Sequence, residues 1–155
     1  MLGSVRRKDR EINPEQAAQL LAEGEYGFLA TAGTDGQAYG VPMNYVFKNN
    51  SLYFHCAPEG HKLDNIRSNN KVSFCVVGKA KVLPDKFSTE YESVIAFGTA
   101  VEVQGEEKSR ALLDLVKKYS PDYLEEGKVI IAKYFDKTSI IKMDLQHITG
   151  KARRS

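Results

Sequence analysis

The chain has 155 residues, of which 42% are hydrophobic, and this length and composition suit one globular domain with a single core. It carries 22 basic and 20 acidic residues, so its formal net charge is only +2. Because the one dense basic run lies at residues 151–154, nucleic acid is not expected as a partner. We predict a single domain over residues 1–155, with flexible tails at residues 1–12 and 150–155.

The sequence offers no feature typical of membrane insertion or secretion. No apolar run approaches the roughly 18 residues that span a bilayer, and residues 1–10 lack the apolar core of a signal peptide. These features predict a cytoplasmic protein without a membrane partner. Cys56 and Cys75 are expected to be reduced, since they lack the C-x-x-C spacing of a redox pair or a metal ligand set. No metal site is therefore predicted.

The first predicted element is a short helix. Asn13, Pro14 and Gln16 fit an N-cap, a first-turn proline and a capping-box partner, and Gly24 is a natural stop. A meander of three strands should follow, because three apolar runs rich in strand-forming residues are separated by turn-forming residues. These predicted strands are residues 26–32, 37–47 and 52–55.

The second half predicts a second set of alternating elements. A short helix is expected at residues 62–67, because Leu63 and Ile66 lie three positions apart. Strands at residues 71–77, 93–104 and 138–145, and a helix at residues 106–119, follow from their apolar periodicity. About six strands joined mostly by tight turns favour a mainly β protein with an antiparallel barrel.

The loop between the third strand and the short helix is the most informative segment. Residues 53–62 read YFHCAPEGHK and lead from a strand into basic residues at a helix start. The free N–H groups and the positive dipole of a helix N-terminus favour an anion, and Lys62 adds a full charge. The segment matches neither a P-loop nor a Gly-x-Gly-x-x-Gly fingerprint, so a phosphate would be held in another way.

His55 is the candidate catalytic residue of this loop. An imidazole that titrates near neutrality can supply a proton or orient a substrate, whereas the alternative is a histidine that only satisfies a local hydrogen bond. A thiol–imidazole pair with Cys56 is not expected, because consecutive strand residues point to opposite faces. Pro42 marks its own strand as an edge, since proline cannot donate to a ladder. A flat ring could lie against such an edge.

Three segments together indicate a family. Residues 40–45, 52–55 and 59–66 read GVPMNY, LYFH and EGHKLDNI. In this order they resemble the FMN-binding split β-barrel superfamily typified by pyridoxamine 5′-phosphate oxidase, and within it the 5-nitroimidazole-resistance (Nim) proteins. The resemblance implies an antiparallel split β-barrel with accessory helices. It also implies a homodimer that binds FMN at the subunit interface.

The resemblance assigns roles to particular residues. It places the strand from Tyr39 to Asn44 beside the flavin ring and ribityl chain, His61 and Lys62 at the phosphate, and His55 near the flavin. Ser93, at the start of the predicted long strand, corresponds to the position where the second subunit reaches across. The implied cofactor-binding residues are Tyr39, Val41, Pro42, Met43, Asn44, His55, His61, Lys62 and Ser93.

Two departures from the oxidase pattern bear on the activity. Tyr39 and Asn44 stand where the oxidase has basic residues, and residues 138–155 contain no clear match to its substrate-binding arginine and histidine. The Nim branch is the better match, and implies an FMN-dependent oxidoreductase that reduces small acceptors such as nitroimidazole or other nitroaromatic compounds. The alternatives are a non-catalytic FMN- or haem-binding protein on the same fold, and a cofactor-free dimeric interaction module.

Overall fold

The computed structural model describes residues 2–154, so Met1 and Ser155, which belong to the two predicted tails, lie outside the described residues. Within that range the chain forms seven strands and four α-helices. The strands are β1 (Gly27–Ala32), β2 (Ala38–Met43), β3 (Val46–Lys48), β4 (Ser51–Cys56), β5 (Lys71–Leu83), β6 (Ser88–Val103) and β7 (Ser139–Arg153). The helices are α1 (Pro14–Glu23), α2 (His61–Ser68), α3 (Gly105–Tyr119) and α4 (Leu124–Tyr134).

All strands belong to one antiparallel sheet in the order β2-β1-β5-β6-β7-β4-β3. The last strand in sequence therefore lies between β6 and β4, near the middle of the sheet. This arrangement is a split β-barrel and confirms the predicted fold class. Pro42 lies on β2, which is an edge strand as the proline predicted.

The opening helix begins and ends where its sequence signals predicted. The Asn13 side chain accepts a hydrogen bond from the Gln16 main-chain N–H at 2.8 Å, and the Gln16 side chain accepts one from Asn13 N–H at 3.3 Å. This capping box satisfies N–H groups that the helix itself leaves unpaired. Ala17 and Leu21 are buried, so α1 closes one side of the core.

The core inside the sheet is built around three aromatic rings. Tyr45, Phe54 and Phe74 are fully buried, and the Phe74 ring lies 4.8 Å from the Tyr45 ring and 5.0 Å from the Phe54 ring, each edge-on. The Tyr45 hydroxyl donates to the Leu21 carbonyl, which ties this cluster to α1. A buried tyrosine with a bonded hydroxyl leaves no polar group unpaired.

Helix α3 is fastened to the outside of the sheet by a half-buried lysine. Lys118 donates from Nζ to the carbonyls of Gly24 at 2.7 Å and Tyr45 at 2.9 Å, and its ammonium lies 4.0 Å from the centre of the Tyr45 ring. Burial lowers the pKa of Lys118 to about 8. The Tyr119 hydroxyl also donates to the Tyr45 carbonyl, at 2.9 Å. The junction after β2 and the C-terminal end of α3 are therefore held together.

Two predictions about elements were incomplete. The predicted strand at residues 37–47 is two strands, because the chain leaves the sheet at Asn44 and Tyr45, where Tyr45 N–H donates to the Tyr119 hydroxyl at 3.0 Å instead of to a neighbouring strand. Helix α4 was not predicted. Its apolar residues Val129 and Ile130 remain exposed, and Gly127 weakens the helical pattern, so no ordinary core-facing stripe marks it.

The prediction of a flexible tail was wrong for residues 150–153, which form the end of β7 and pair with the start of β6. It was also wrong for part of residues 1–12, since Val5 is buried and Glu11 bridges to Lys151. Charged side chains dominate these stretches, which is why their composition suggested disorder. The main-chain hydrogen bonds that order them cannot be predicted from amino-acid composition. No helix within residues 2–154 is long and apolar enough to span a membrane.

Candidate functional site

Helix α2 begins at His61, directly after the loop, as the sequence predicted. Gly60 precedes the helix with φ 145°, a conformation that favours glycine, and it contributes no side-chain cap to the first turn. Its own carbonyl accepts from Asp64 N–H at 3.1 Å, which starts the helical ladder. A Cβ built on Gly60 would meet nothing within 4 Å. No side chain caps the first turn of α2, so its free N–H groups could donate to an anion.

The helix is held in place from its other side. Leu63 and Ile66 are buried in the core, and the buried Asn65 side chain donates from Nδ2 to Thr31 Oγ1 at 3.0 Å. This hydrogen bond joins α2 to β1 and satisfies two buried polar groups at once. The position of the first turn is thus set by the sheet.

An aromatic contact joins the start of α2 to the edge strand. The rings of Tyr39 on β2 and His61 on α2 lie 4.2 Å apart at an interplanar angle of 31°. Two residues that the sequence assigned to different parts of a cofactor site are therefore in direct contact. This tilted ring pair lies at the start of α2.

His55 lies at the end of β4 on the outward face of the sheet. Within residues 2–154 neither of its ring nitrogens has a hydrogen-bond partner, and the side chain is exposed. Although the side chain is partly exposed, desolvation by the neighbouring protein atoms lowers the pKa of His55, and the positive charge of Lys62 lowers it further. The charge of Lys62, at the start of α2, therefore acts on His55 at the end of β4.

Cys56 points away from His55, as the alternation of strand residues predicted. It packs against the interior core, whereas His55 lines a cavity outside the sheet. Burial raises the pKa of the Cys56 thiol, so this residue is poorly suited to act as a thiolate nucleophile. Cys56 and Cys75 both carry free thiols.

The electrostatic coupling predicts a measurable titration. His55 should titrate below the ordinary histidine value of 6.5, because desolvation and Lys62 both disfavour the imidazolium. Lys62→Met should raise the pKa of His55, whereas Lys71→Met, at the start of β5, should leave it unchanged. NMR titration of the His55 ring proton would measure both. A His55 pKa at or above 6.5, or one indifferent to Lys62→Met, would contradict this picture.

The edge strand β2 presents small residues to solvent. Ala38, Gly40 and Pro42 are exposed, and a Cβ on Gly40 would meet nothing within 4 Å. Val41 and Met43, by contrast, face the hydrophobic core, so they could contact a cofactor only through their main chain. The assignment of this strand to the flavin ring stays a prediction. If the ring lies there, it would contact the main chain of β2 and the small outward side chains.

Asn44 ends β2 in a fixed position. Its side-chain nitrogen donates to the Glu25 carbonyl at 3.0 Å. Asn44 borders two cavities: a shallow cleft of about 350 Å³ with Pro42 and Met43, and a deeper cavity of about 470 Å³ that it shares with His55. The sequence did not indicate this deeper cavity, because its far wall is the unpredicted helix α4.

Ser93 does not join the other predicted residues. Strand β6 begins at Ser88, so Ser93 lies inside the strand, paired with Val77 and Lys151. It lines a separate cavity of about 230 Å³ together with Ile95 and Phe97. Any contact from Ser93 to the site around His55 would have to come from a second copy of the chain.

The fold and the loop geometry agree with a comparison to known families. The family model of pyridoxamine 5′-phosphate oxidase matches residues 13–152, which is nearly the whole chain. The protein therefore belongs to the pyridoxamine 5′-phosphate oxidase family, whose fold is the FMN-binding split β-barrel. A comparison with curated proteins gives no match.

Solved structures share this fold along most of the chain. A candidate 5-nitroimidazole antibiotic resistance protein from Bacteroides thetaiotaomicron is 24% identical, with a TM-score of 0.74, covering 92% of this chain and 86% of that one. The flavocytochrome Anf3 from Azotobacter vinelandii is 16% identical, with a TM-score of 0.82 and coverages of 97% and 72%. A FAD and haem binding protein from Mycobacterium smegmatis is 18% identical, with a TM-score of 0.79 and coverages of 94% and 74%. At these identities the likeness shows a shared fold.

Proposed function

We propose that the protein is an FMN-dependent oxidoreductase that reduces small acceptors, with nitroaromatic compounds such as nitroimidazoles as the acceptor class. The observation that carries this proposal is the uncapped N-terminus of α2. The charge of Lys62 in its first turn lowers the pKa of His55, whose ring nitrogens have no hydrogen-bond partner within residues 2–154. One end of this arrangement suits a phosphate. The other end presents a titratable ring to a cavity.

The described residues fit FMN in three respects. The open first turn of α2, with His61 and Lys62, offers main-chain N–H groups and positive charge to a phosphate. The exposed small residues Gly40 and Pro42 leave a flat edge against which a ring can lie. The Tyr39–His61 contact places β2 beside the start of α2, so the strand assigned to the ring and the helix assigned to the phosphate are neighbours.

FMN, when bound, would supply the transfer of electrons from a nicotinamide or other donor to the acceptor. Reduction of a nitro group to a nitroso group takes two electrons and two protons, and releases water. His55 is placed to hold an N–H toward the acceptor, since its ring nitrogens have no other partner within residues 2–154. Lys62 adds a positive charge that favours the oxygen atoms of a nitro group.

The comparisons support a flavin- or haem-related function in general. One structure of the same fold bears a 5-nitroimidazole resistance description, another is a flavocytochrome, and a third binds FAD and haem. The choice of FMN rests on the phosphate-suited helix terminus and on the sequence resemblance. A non-catalytic FMN- or haem-binding role on the same fold is the alternative.

We further propose that the working form is a homodimer. Phe28, Cys75 and Ile95 are directly opposite one another on β1, β5 and β6, and they form a row on the outward face of the sheet. Phe28 is 46% exposed and Ile95 is 38% exposed, so the row leaves apolar surface uncovered in the single chain. A second copy is the simplest cover for such a face. Ser93 lies at its border, paired with Val77.

The test of the proposed activity begins with a visible spectrum. The purified protein, supplied with FMN and desalted, should retain flavin absorption, lose it on anaerobic addition of NADPH or NADH, and regain it with 4-nitrobenzyl alcohol. His55→Gln should keep the flavin and lower turnover about a hundredfold, because a positioned proton donor contributes at least that much. Retained FMN without turnover would leave the non-catalytic alternative, and a Soret band after addition of haem would favour haem binding. A colourless protein would favour the cofactor-free interaction module.

A further inference from the structure

An apolar cavity lies between the end of β4 and the pair of helices α3 and α4. Its volume is about 470 Å³, which falls within the range of roughly 300–1,000 Å³ typical of small-molecule sites. Leu112 and Val116 of α3 and Ile130 and Ile131 of α4 form its walls. The cavity is open to solvent at the helix side, where Ile130 is 54% exposed.

Contacts of α3 and α4 hold the two helices in the positions that leave this cavity open. Gly127 on α4 lies against Val116 on α3 so closely that a Cβ at position 127 would come within 2.5 Å of the Val116 side chain. Lys118 and Tyr119 hold α3 to the junction after β2. Both helices are therefore fixed, one on the sheet and one on its neighbour, while the volume beneath them remains unfilled by side chains.

The cavity wall is mostly apolar, and polar side chains interrupt it at Asn44, His55, Ser120, Glu126 and Thr138. On the strand side His55 has no hydrogen-bond partner within residues 2–154, and it lies close enough to Lys62 to feel its charge. On the helix side Glu126 is the one acidic residue among the described residues of the lining. The rings of Tyr119, Tyr123 and Tyr134 also border the space. Such a lining suits a flat ring and disfavours an anionic one.

We propose that this cavity binds a flat, uncharged aromatic molecule whose electron-rich polar end meets His55. The identity of the bound molecule as the electron acceptor rests on the proposed function, whereas the binding of an aromatic molecule in the cavity does not. A nitro group has oxygen atoms that accept hydrogen bonds, so it matches the His55 end of the cavity, and an aromatic ring matches the apolar walls. The helices α3 and α4 thereby determine which acceptors the protein takes.

Binding can be tested without any redox step. In the flavin-supplied protein, 4-nitrobenzyl alcohol should shift the methyl NMR signals of Val116, Ile130 and Ile131, and leave those of Ile95 unchanged. The anion 4-nitrobenzoate, which has nearly the same shape, should bind at least about fivefold more weakly, and Glu126→Gln should narrow that difference. Shifts confined to other parts of the chain, or no shifts at saturating probe, would overturn the proposal.

A pair of variants on α4 tests the same cavity by turnover. Ile130→Trp should partly fill the cavity from its rim and raise the dissociation constant and KM for 4-nitrobenzyl alcohol at least about tenfold, a change of 1.4 kcal/mol. Val129→Trp is the matched control, because Val129 is the adjacent residue, is 67% exposed and does not line the cavity. Both variants should keep the flavin and the rate with ferricyanide, a small inorganic acceptor. Circular dichroism would confirm that both are folded.

The outcomes separate this inference from the proposed function. Flavin reduction and nitro turnover that are unchanged in a folded Ile130→Trp protein would overturn the cavity as the acceptor site and leave the reductase standing. A protein that binds no flavin but shows the Val116 and Ile131 shifts would retain the aromatic binding site and overturn the reductase. Selective loss of the nitro reaction in Ile130→Trp, with the ferricyanide rate kept, would support both.

Discussion

Lys62→Glu should raise the dissociation constant for FMN at least about a hundredfold. The substitution removes a positive charge from the open first turn of α2 and places a negative charge where the proposed phosphate binds. A hydrogen bond to a charged group contributes roughly 1.5–3 kcal/mol, and a hundredfold change corresponds to about 2.8 kcal/mol. Repulsion between carboxylate and phosphate adds to the loss. Fluorescence titration of the FMN-free protein with FMN would measure the two dissociation constants.

The matched control for this prediction is Lys71→Glu. Lys71 begins β5 just beyond the C-terminal end of α2, is exposed, and undergoes the same change of charge. It should change FMN affinity less than about threefold, since an exposed charge away from the phosphate is largely screened. Equal weakening in the two variants would show that net charge controls affinity, and an unchanged affinity in Lys62→Glu would remove the phosphate site from α2.

Ile95→Lys should convert the proposed dimer into monomers at micromolar concentration. Ile95 lies in the apolar row that joins β1, β5 and β6, and a twofold axis would bring two lysines into the interface at once. Burying an unpaired ammonium is costly, so we expect the dissociation constant of the dimer to rise more than about a hundredfold. Sedimentation velocity over a range of concentrations would measure it.

Val129→Lys is the control for the interface, because Val129 is an exposed β-branched residue on α4, outside the apolar row. That variant should sediment as the unmodified protein does. If the flavin site is shared between subunits, the Ile95→Lys monomer should also lose FMN affinity. A wild-type protein that sediments as a monomer at all concentrations would refute the proposed dimer, and Ser93 would then have no route to the site.

Local signals in the sequence predicted much of the fold. The capping box at Asn13, the stop at Gly24 and the apolar pair Leu63 and Ile66 each act over one helical turn, and the helices they predicted are present. The long strands were predicted too short, because their ends carry charged and polar residues whose main-chain pairing has no side-chain signature. The break after β2 depends on the hydrogen bond from Tyr45 to Tyr119, 74 positions away in sequence, and could not be predicted locally.

The candidate site likewise contains features that local sequence predicted and features that depend on the tertiary fold. His55, His61 and Lys62 lie in one segment, so their proximity followed from a strand, a loop and a helix start. The contact of Tyr39 with His61 was not predicted, because the two residues meet only through the tertiary fold. The cavity beside His55 was beyond prediction, since it depends on how α3 and α4 pack. Which of these residues bind a cofactor stays a prediction.

The position of β7 between β6 and β4 constrains how the chain can fold during synthesis. Ser51 on β4 pairs with Asp144 on β7. The edge of β4 that pairs with β7 therefore stays unpaired until about 90 further residues have been synthesised. Gly98 adds a second requirement, because a Cβ there would lie 1.9 Å from the Asp144 carbonyl oxygen and would keep the last strand from closing against β6. Until β7 arrives, the nascent chain carries an unpaired strand edge that invites aggregation. The final strand thus completes the sheet, and we expect the ribosome-bound chain to depend on chaperones until then.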